Sequence, residues 1–164
     1  MARDLRITTT AMKMITDMER IADQAVDISE IARHLLSCGV DAPQAISPMA
    51  TKAVTMVNKS IDAFIRRDLA LAEEIIDADD EVDALFLKIR GEIVDTIRQG
   101  TTAGSAAIDY IMVAKYLERI ADHAANLAES VRGSLFICPF LPRAAVVFAF
   151  MLLLPHILQP VLPF

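Results

Sequence analysis

The sequence Glu19-Arg20-Ile21-Ala22-Asp23 returns ninety-nine positions later as Glu118-Arg119-Ile120-Ala121-Asp122. This repeat constrains the fold because the apolar residues around it repeat as well. Met14, Met18, Ile21, Ala25, Ile28 and Ala32 align with Val113, Leu117, Ile120, Ala124, Leu127 and Val131. Both sets run i, i+4, i+7, i+11, i+14, i+18, an order that lines one side of an α-helix. Each copy is therefore an amphipathic helix with one face to bury. Beside the stripe runs a carboxylate row: Glu19, Asp23, Asp27 and Glu30 in the first copy, Glu118, Asp122 and Glu129 in the second, where Asn126 replaces Asp27. Like charges at i, i+4 destabilise a helix by roughly 0.2–0.5 kcal/mol per pair. A pair present in both copies points to a compensating positive charge, a metal ion or a basic partner.

Punctuation residues divide the rest of the chain into helices. The first runs from about Ala2 to Leu36 and stops at Ser37-Cys38-Gly39, with Gly39 suited to the left-handed position after a helix. Asp41 to Ile46 reads as a loop. Ser47 is the expected cap of a second helix, with Pro48 in its first turn. That helix would bury Ala53, Val57, Ile61 and Phe64. Asp68 is placed to cap a third helix, whose Leu71, Ile75, Ala78, Val82, Leu85, Ile89 and Ile93 keep a 3–4 spacing until Gly100. Thr101–Ser105 is a loop, and the fourth helix covers about Ala106 to Arg132.

The chain is thus all-α, with three short-looped helices over 47–132 packing as an antiparallel three-helix bundle. Repeat arithmetic makes 1–37 the last helix of an incomplete first bundle, because its twin closes the second. Such a helix must find another surface, dimerise, or stay poorly ordered. The segment 134–164 changes character: its one charge is Arg143, Ala144–Leu154 is entirely apolar, and Pro155, Pro160 and Pro163 follow. Eleven residues make a helix of about 16 Å, half of a bilayer's hydrocarbon core. The expected behaviour is a projecting or weakly docked tail rather than a membrane anchor.

Charge narrows the function classes. Residues 1–133 hold 15 basic and 22 acidic residues, a net of −7, which argues against a nucleic-acid binder, since that would need a basic face. Cys38 and Cys138 lack CxxC spacing and read as reduced, structural thiols of a cytoplasmic protein. The charged opening Met1–Arg6 is not a signal peptide. There is no nucleophile elbow, Walker A loop or dinucleotide fingerprint, so no catalytic residue is assigned and the chain is not read as an enzyme.

The candidate chemistry lies in carboxylates. Asp79 and Asp83 repeat the i, i+4 arrangement on the third helix, inside Asp77-Ala78-Asp79-Asp80-Glu81-Val82-Asp83. If that helix packs antiparallel to the fourth, Asp79, Asp83, Glu118 and Asp122 converge on a surface groove. Their oxygens suit hard cations such as iron, manganese or magnesium. Without a cation they repel, and their pKa values should rise. The competing reading is a solvated acidic face neutralised by nearby Lys and Arg. In the first copy Glu19 and Asp23 repeat the pair without a partner helix. The Glu-x-x-His motif of di-iron bundles is absent, and His123, which Gln24 replaces in the other copy, reads as a hydrogen-bonding residue rather than a ligand.

Together these residues resemble the PhoU family. The resemblance rests on Ala2-Arg3-Asp4-Leu5-Arg6, the Met18–Asp23 motif, Ile61-Asp62-Ala63-Phe64, Asp79–Asp83, and Tyr116-Leu117-Glu118-Arg119-Ile120-Ala121-Asp122-His123-Ala124. It covers about 2–132. It implies two tandem three-helix bundles with metal on paired acidic motifs: Asp79/Asp83 with Glu118/Asp122, and Glu19/Asp23 in the incomplete half. It also implies a dimeric, cytoplasmic regulatory adaptor between a phosphate ABC transporter ATPase and a membrane sensor histidine kinase, restraining signalling when phosphate is plentiful. A regulatory module of an ion or phosphate transporter and a carboxylate-bridged metalloprotein are the alternatives. The sequence departs from the family in the two absent leading helices and the tail after Val131. A late start codon with a frameshift near Arg132 would account for both, as would a natural variant with a membrane-seeking tail.

Overall fold

The computed structural model describes residues 2–100 and 104–134. They form four helices, α1 (Ala2–Cys38), α2 (Ile46–Arg66), α3 (Leu69–Arg98) and α4 (Gly104–Ser134), with no strand among the described residues. The apolar tail and Cys138 lie outside them.

The breaks between helices have local causes. Gly39 takes the left-handed conformation at φ 62° and closes α1. Arg67 does the same at φ 57° after α2, where its backbone N–H and that of Asp68 donate to the carbonyls of Phe64 and Ala63. Asp68 caps α3 as expected: its Oδ1 accepts from the Leu71 N–H at 3.1 Å. Ser47, however, is not the cap of α2. The turn comes earlier, because the Ile46 N–H donates to the Pro43 carbonyl at 3.1 Å and Ala45 becomes the cap residue. Ser47 and Pro48 then fall in the first turn.

Burial follows the apolar stripes. Met14, Met18, Ile21, Ala25 and Ile28 of α1 are buried, as are Val113, Leu117, Ile120, Ala124, Leu127 and Val131 of α4. Ala32 is half-buried, and Leu35 closes the α1 stripe instead. In α3, Ile75, Val82, Ile89 and Ile93 point fully inward. In α2, Ala53 and Val57 are buried as expected, with Ile61 and Phe64 half-buried and Met49, Met56 and Ala63 adding the rest. Lys52–Glu81 and Lys59–Glu74 ion pairs join α2 to α3 on the outside.

The expected three-helix bundle is present, and α4 is its hub, packed against α2, α3 and also α1. The stripe of α1 is thus covered by α4. Three contacts fix how α1 lies: Lys13 reaches Glu129 at 4.0 Å, Asp17 meets His123 at 3.0 Å, and His34 meets Asp109 at 2.6 Å. Residue numbers fall along α4 as they rise along α1, so the two helices are antiparallel. In this register Ile21 is level with its own twin Ile120, and the two repeats cross about a local pseudo-two-fold axis. A helix and its copy carry the same stripe and can bury it against each other, which explains why α1 needs no helix of a first bundle to cover this face. No described helix is long and apolar enough to cross a membrane.

Candidate metal centre and the groove beside it

Packing of α3 against α4 brings Asp79 and Asp83 within electrostatic reach of Glu118 and Asp122, with Asp79 and Asp122 alone of the four lining the groove described below. Electrostatics records the approach. The Asp79 carboxyl is raised from 3.8 to about 6, first by burial and then by Asp122, Asp83, Asp80 and Glu118. Asp122 is raised too, by burial and then by Glu118 and Asp83, with Lys115 and His123 opposing. Desolvation and mutual repulsion act in the same direction on a carboxylate, since both disfavour the charged form. Neither Glu19 nor Asp23 is among the charges acting on Asp79 or Asp122; both lie on the exposed side of α1.

The four carboxylates do not close into a ligand shell. Among the described residues no three His, Cys, Asp or Glu side chains meet at the spacing that holds a metal ion. Lys115 gives one reason. Its ammonium pairs with Glu118 one turn along α4 and lies 5.5 Å from the centre of the Phe86 ring. It supplies part of the positive charge that the acidic face demands. Carboxylate oxygens are the donors that hard cations take, and a cation that took all four would have to displace Lys115 from Glu118.

A groove of about 650 Å³ opens beside these residues, lined among others by Arg20 and Gln24 of α1, Asp79 of α3, and Arg119, Asp122 and His123 of α4. The repeated arginines Arg20 and Arg119 thus come to one place because the two repeats cross there. The sequence displayed both residues, but the α1–α4 register that unites them could not be read from either helix alone. His123 is a hydrogen-bonding residue, as expected: its Nδ1 contacts Asp17 Oδ1 at 3.0 Å. An ionised carboxylate only accepts, so the imidazole N–H donates. Asp17 is buried, and its Oδ2 has no hydrogen-bond partner, nor does Oε1 of buried Gln24.

The sequence pattern of the PhoU domain matches residues 1–32 and 46–131. The chain belongs to the PhoU family. It is 35% identical over 130 residues to the phosphate-specific transport system accessory protein PhoU homolog of Clostridium acetobutylicum, covering 79% of this chain and 59% of the relative. A PhoU homolog 1 of Thermotoga maritima is 33% identical over 131 residues, with 79% and 56% covered. A homolog from Pseudomonas aeruginosa is 32% identical over 133 residues, with 79% and 54% covered. The chain spans between half and three-fifths of the length of these curated relatives. All four carboxylates of the α3–α4 face, and Glu19 and Asp23, lie inside the matched PhoU segments.

Proposed function

We propose that this PhoU chain is a non-enzymatic regulatory adaptor of phosphate transport that lowers phosphate uptake and phosphate-starvation signalling. It would work through contacts with the transporter ATPase and a sensor histidine kinase, as a dimer at the cytoplasmic side of the membrane. Family membership and the relatives' names, accessory proteins of phosphate-specific transport, support this reading.

The observation that supports the site is the mutual electrostatic influence of Asp79, Asp83, Glu118 and Asp122 across two helices. A hard cation such as iron, manganese or magnesium bound there would supply the positive charge that four carboxylates lack. The chain's own residues set the terms of binding. Asp79 is partly withdrawn from water, so neutralising it is favourable. Lys115 competes for Glu118, so cation binding is coupled to release of a lysine from the surface. On α1, Glu19 and Asp23 offer a second carboxylate pair, exposed and without an opposing pair among the described residues; any cation there would be held more weakly.

Isothermal titration with manganese or iron(II), comparing the parent with Glu118→Ala plus Asp122→Ala, tests the site. Saturable binding lost in the double variant is expected; equal binding by both proteins removes the metal assignment. The adaptor role has its own test. In a bacterial strain lacking its PhoU, the full-length relative should lower phosphate-starvation reporter output when phosphate is abundant, and unchanged output would refute it.

A further inference from the structure

Far from the acidic face, at the end of α1, three side chains stand in line. Cys38 Sγ lies 3.8 Å from Nε2 of His34, and Nδ1 of the same imidazole lies 2.6 Å from Oδ2 of Asp109 on α4. Cys38 is free and exposed. The expectation of a structural thiol is therefore corrected for this residue, since nothing packs it away. We propose that Cys38 is a reversible thiol-modification site that takes low-molecular-weight disulfides, with His34 as its proton acceptor and Asp109 as the residue that orients the imidazole.

The chemistry follows from the hydrogen bonds. Ionised Asp109 can only accept, so Nδ1 carries the ring proton and Nε2 presents a lone pair to the thiol. A nucleophile, a base within reach of it, and a third group orienting the base make up an activated nucleophile. In the reaction the Cys38 S–H passes its proton to His34 Nε2. The sulfur attacks one sulfur of the incoming disulfide, whose S–S bond breaks as the mixed disulfide forms. The departing thiolate takes the proton back from His34. The disulfide is the oxidant, so no further co-reactant is needed.

The surrounding fold holds this line in place. His34 and Cys38 are one turn apart on α1, and Asp109 comes from 75 residues away in sequence. Next to it, the Tyr110 hydroxyl donates to the Val40 carbonyl at 2.8 Å and ties the loop after α1 to α4. Burial pushes the Tyr110 phenol up, and the negative charges of Asp41 and Cys38 add to this. Tyr110 and Asp41 are thus the ionisable groups that share the site with the triad. His34 and Cys38 lie within 33–45, between the two segments that match the PhoU domain, while Asp109 lies inside the second.

The test uses the full chain with Cys138→Ser, leaving Cys38 as its one thiol, and oxidised glutathione as the probe, with mass spectrometry locating the adduct. His34→Ala and His34→Gln should each slow modification about tenfold at pH 7, because neither replacement can take the proton. Asp109→Asn should slow it less, and the pH–rate profile of the parent should show a limb following imidazole ionisation that both His34 variants lack. Circular dichroism confirms that the helices persist, and reaction of the urea-unfolded proteins should be equal for all. Rates in the His34 variants within threefold of the parent, or a parent profile without the imidazole limb, overturn the proposal.

Discussion

Asp79 offers the sharpest test of how the acidic face is built. Its carboxyl is raised from 3.8 to about 6, so the folded protein holds a proton there that the unfolded chain has already released. Between these values the native state binds more protons than the unfolded state, and stability falls as pH rises. Below the lower value both states are protonated and there is no penalty. Above the upper value the penalty is complete. An ionisation displaced this far corresponds to at most about 3 kcal/mol. Asp79 is only half-buried, and water screens its neighbours, so the working figure is about 1 kcal/mol.

Asp79→Asn keeps the shape of the side chain and removes the charge. In chelator, the variant should match the parent near pH 4 and exceed it by about 1 kcal/mol at pH 7.5, a melting temperature about 2–4 °C higher for a chain of this size. Thermal unfolding followed by circular dichroism across pH 4–8 reads this difference directly, and subtracting the two curves cancels every titrating group not coupled to Asp79. Added manganese should reverse the order, stabilising the parent and leaving the variant nearly unchanged. If the two proteins keep the same pH dependence, or the variant is the less stable at pH 7.5 in chelator, Asp79 is a solvated or specifically paired carboxylate and the repulsion argument fails.

Other consequences can be measured in the same way. Ile21→Ala, at the centre of the α1–α4 crossing and only 2% exposed, should cost about 2–4 kcal/mol by urea unfolding, whereas Ile15→Ala on the open side of α1, 60% exposed, should cost less than about 0.5 kcal/mol. Asp68→Ala removes the acceptor for the Leu71 N–H and should destabilise by about 1 kcal/mol in chemical denaturation. His123→Ala leaves the buried Asp17 carboxylate without its partner and should cost about 2 kcal/mol at pH 7; Asp17→Asn in the same background should recover part of that loss.

Much of this fold could be read from periodicity, because an apolar stripe states which face of a helix is buried. The stripes of α1, α3 and α4 and the Asp68 cap are of this kind. A stripe does not state what covers it. Three pairs of side chains between α1 and α4 decide that, and each joins residues at least 75 apart, beyond any local pattern. The cap of α2 was misplaced for a smaller reason. Ser47 has the favoured side chain, but the Pro43 turn starts the helix two residues earlier and leaves Ala45, with no side-chain cap, in that position. The α3–α4 carboxylates were legible because antiparallel neighbours joined by a short loop must bring Asp79 near Asp122. The Cys38–His34–Asp109 line was not, since the third member arrives only once α1 has docked.

The pseudo-two-fold crossing also explains where the repeat stops being symmetric. Under the ninety-nine-residue offset, Asp17 corresponds to Tyr116 and Gln24 to His123. One side of the axis therefore carries the Asp17–His123 hydrogen bond, while the level that mirrors it carries Tyr116 and Gln24. A symmetric helix pair could slide or exchange faces with little penalty, because each stripe fits the other in more than one way. A hydrogen-bonded polar pair on one side alone removes that freedom: shifting α1 by a turn would strand Asp17, already missing a partner for Oδ2, among apolar residues. The groove beside the crossing is lined by Gln24 from one level and His123 from the other, together with Arg20, Arg119 and Asp122. The pair that breaks the symmetry reaches this groove through His123, the residue next to Asp122 of the acidic face.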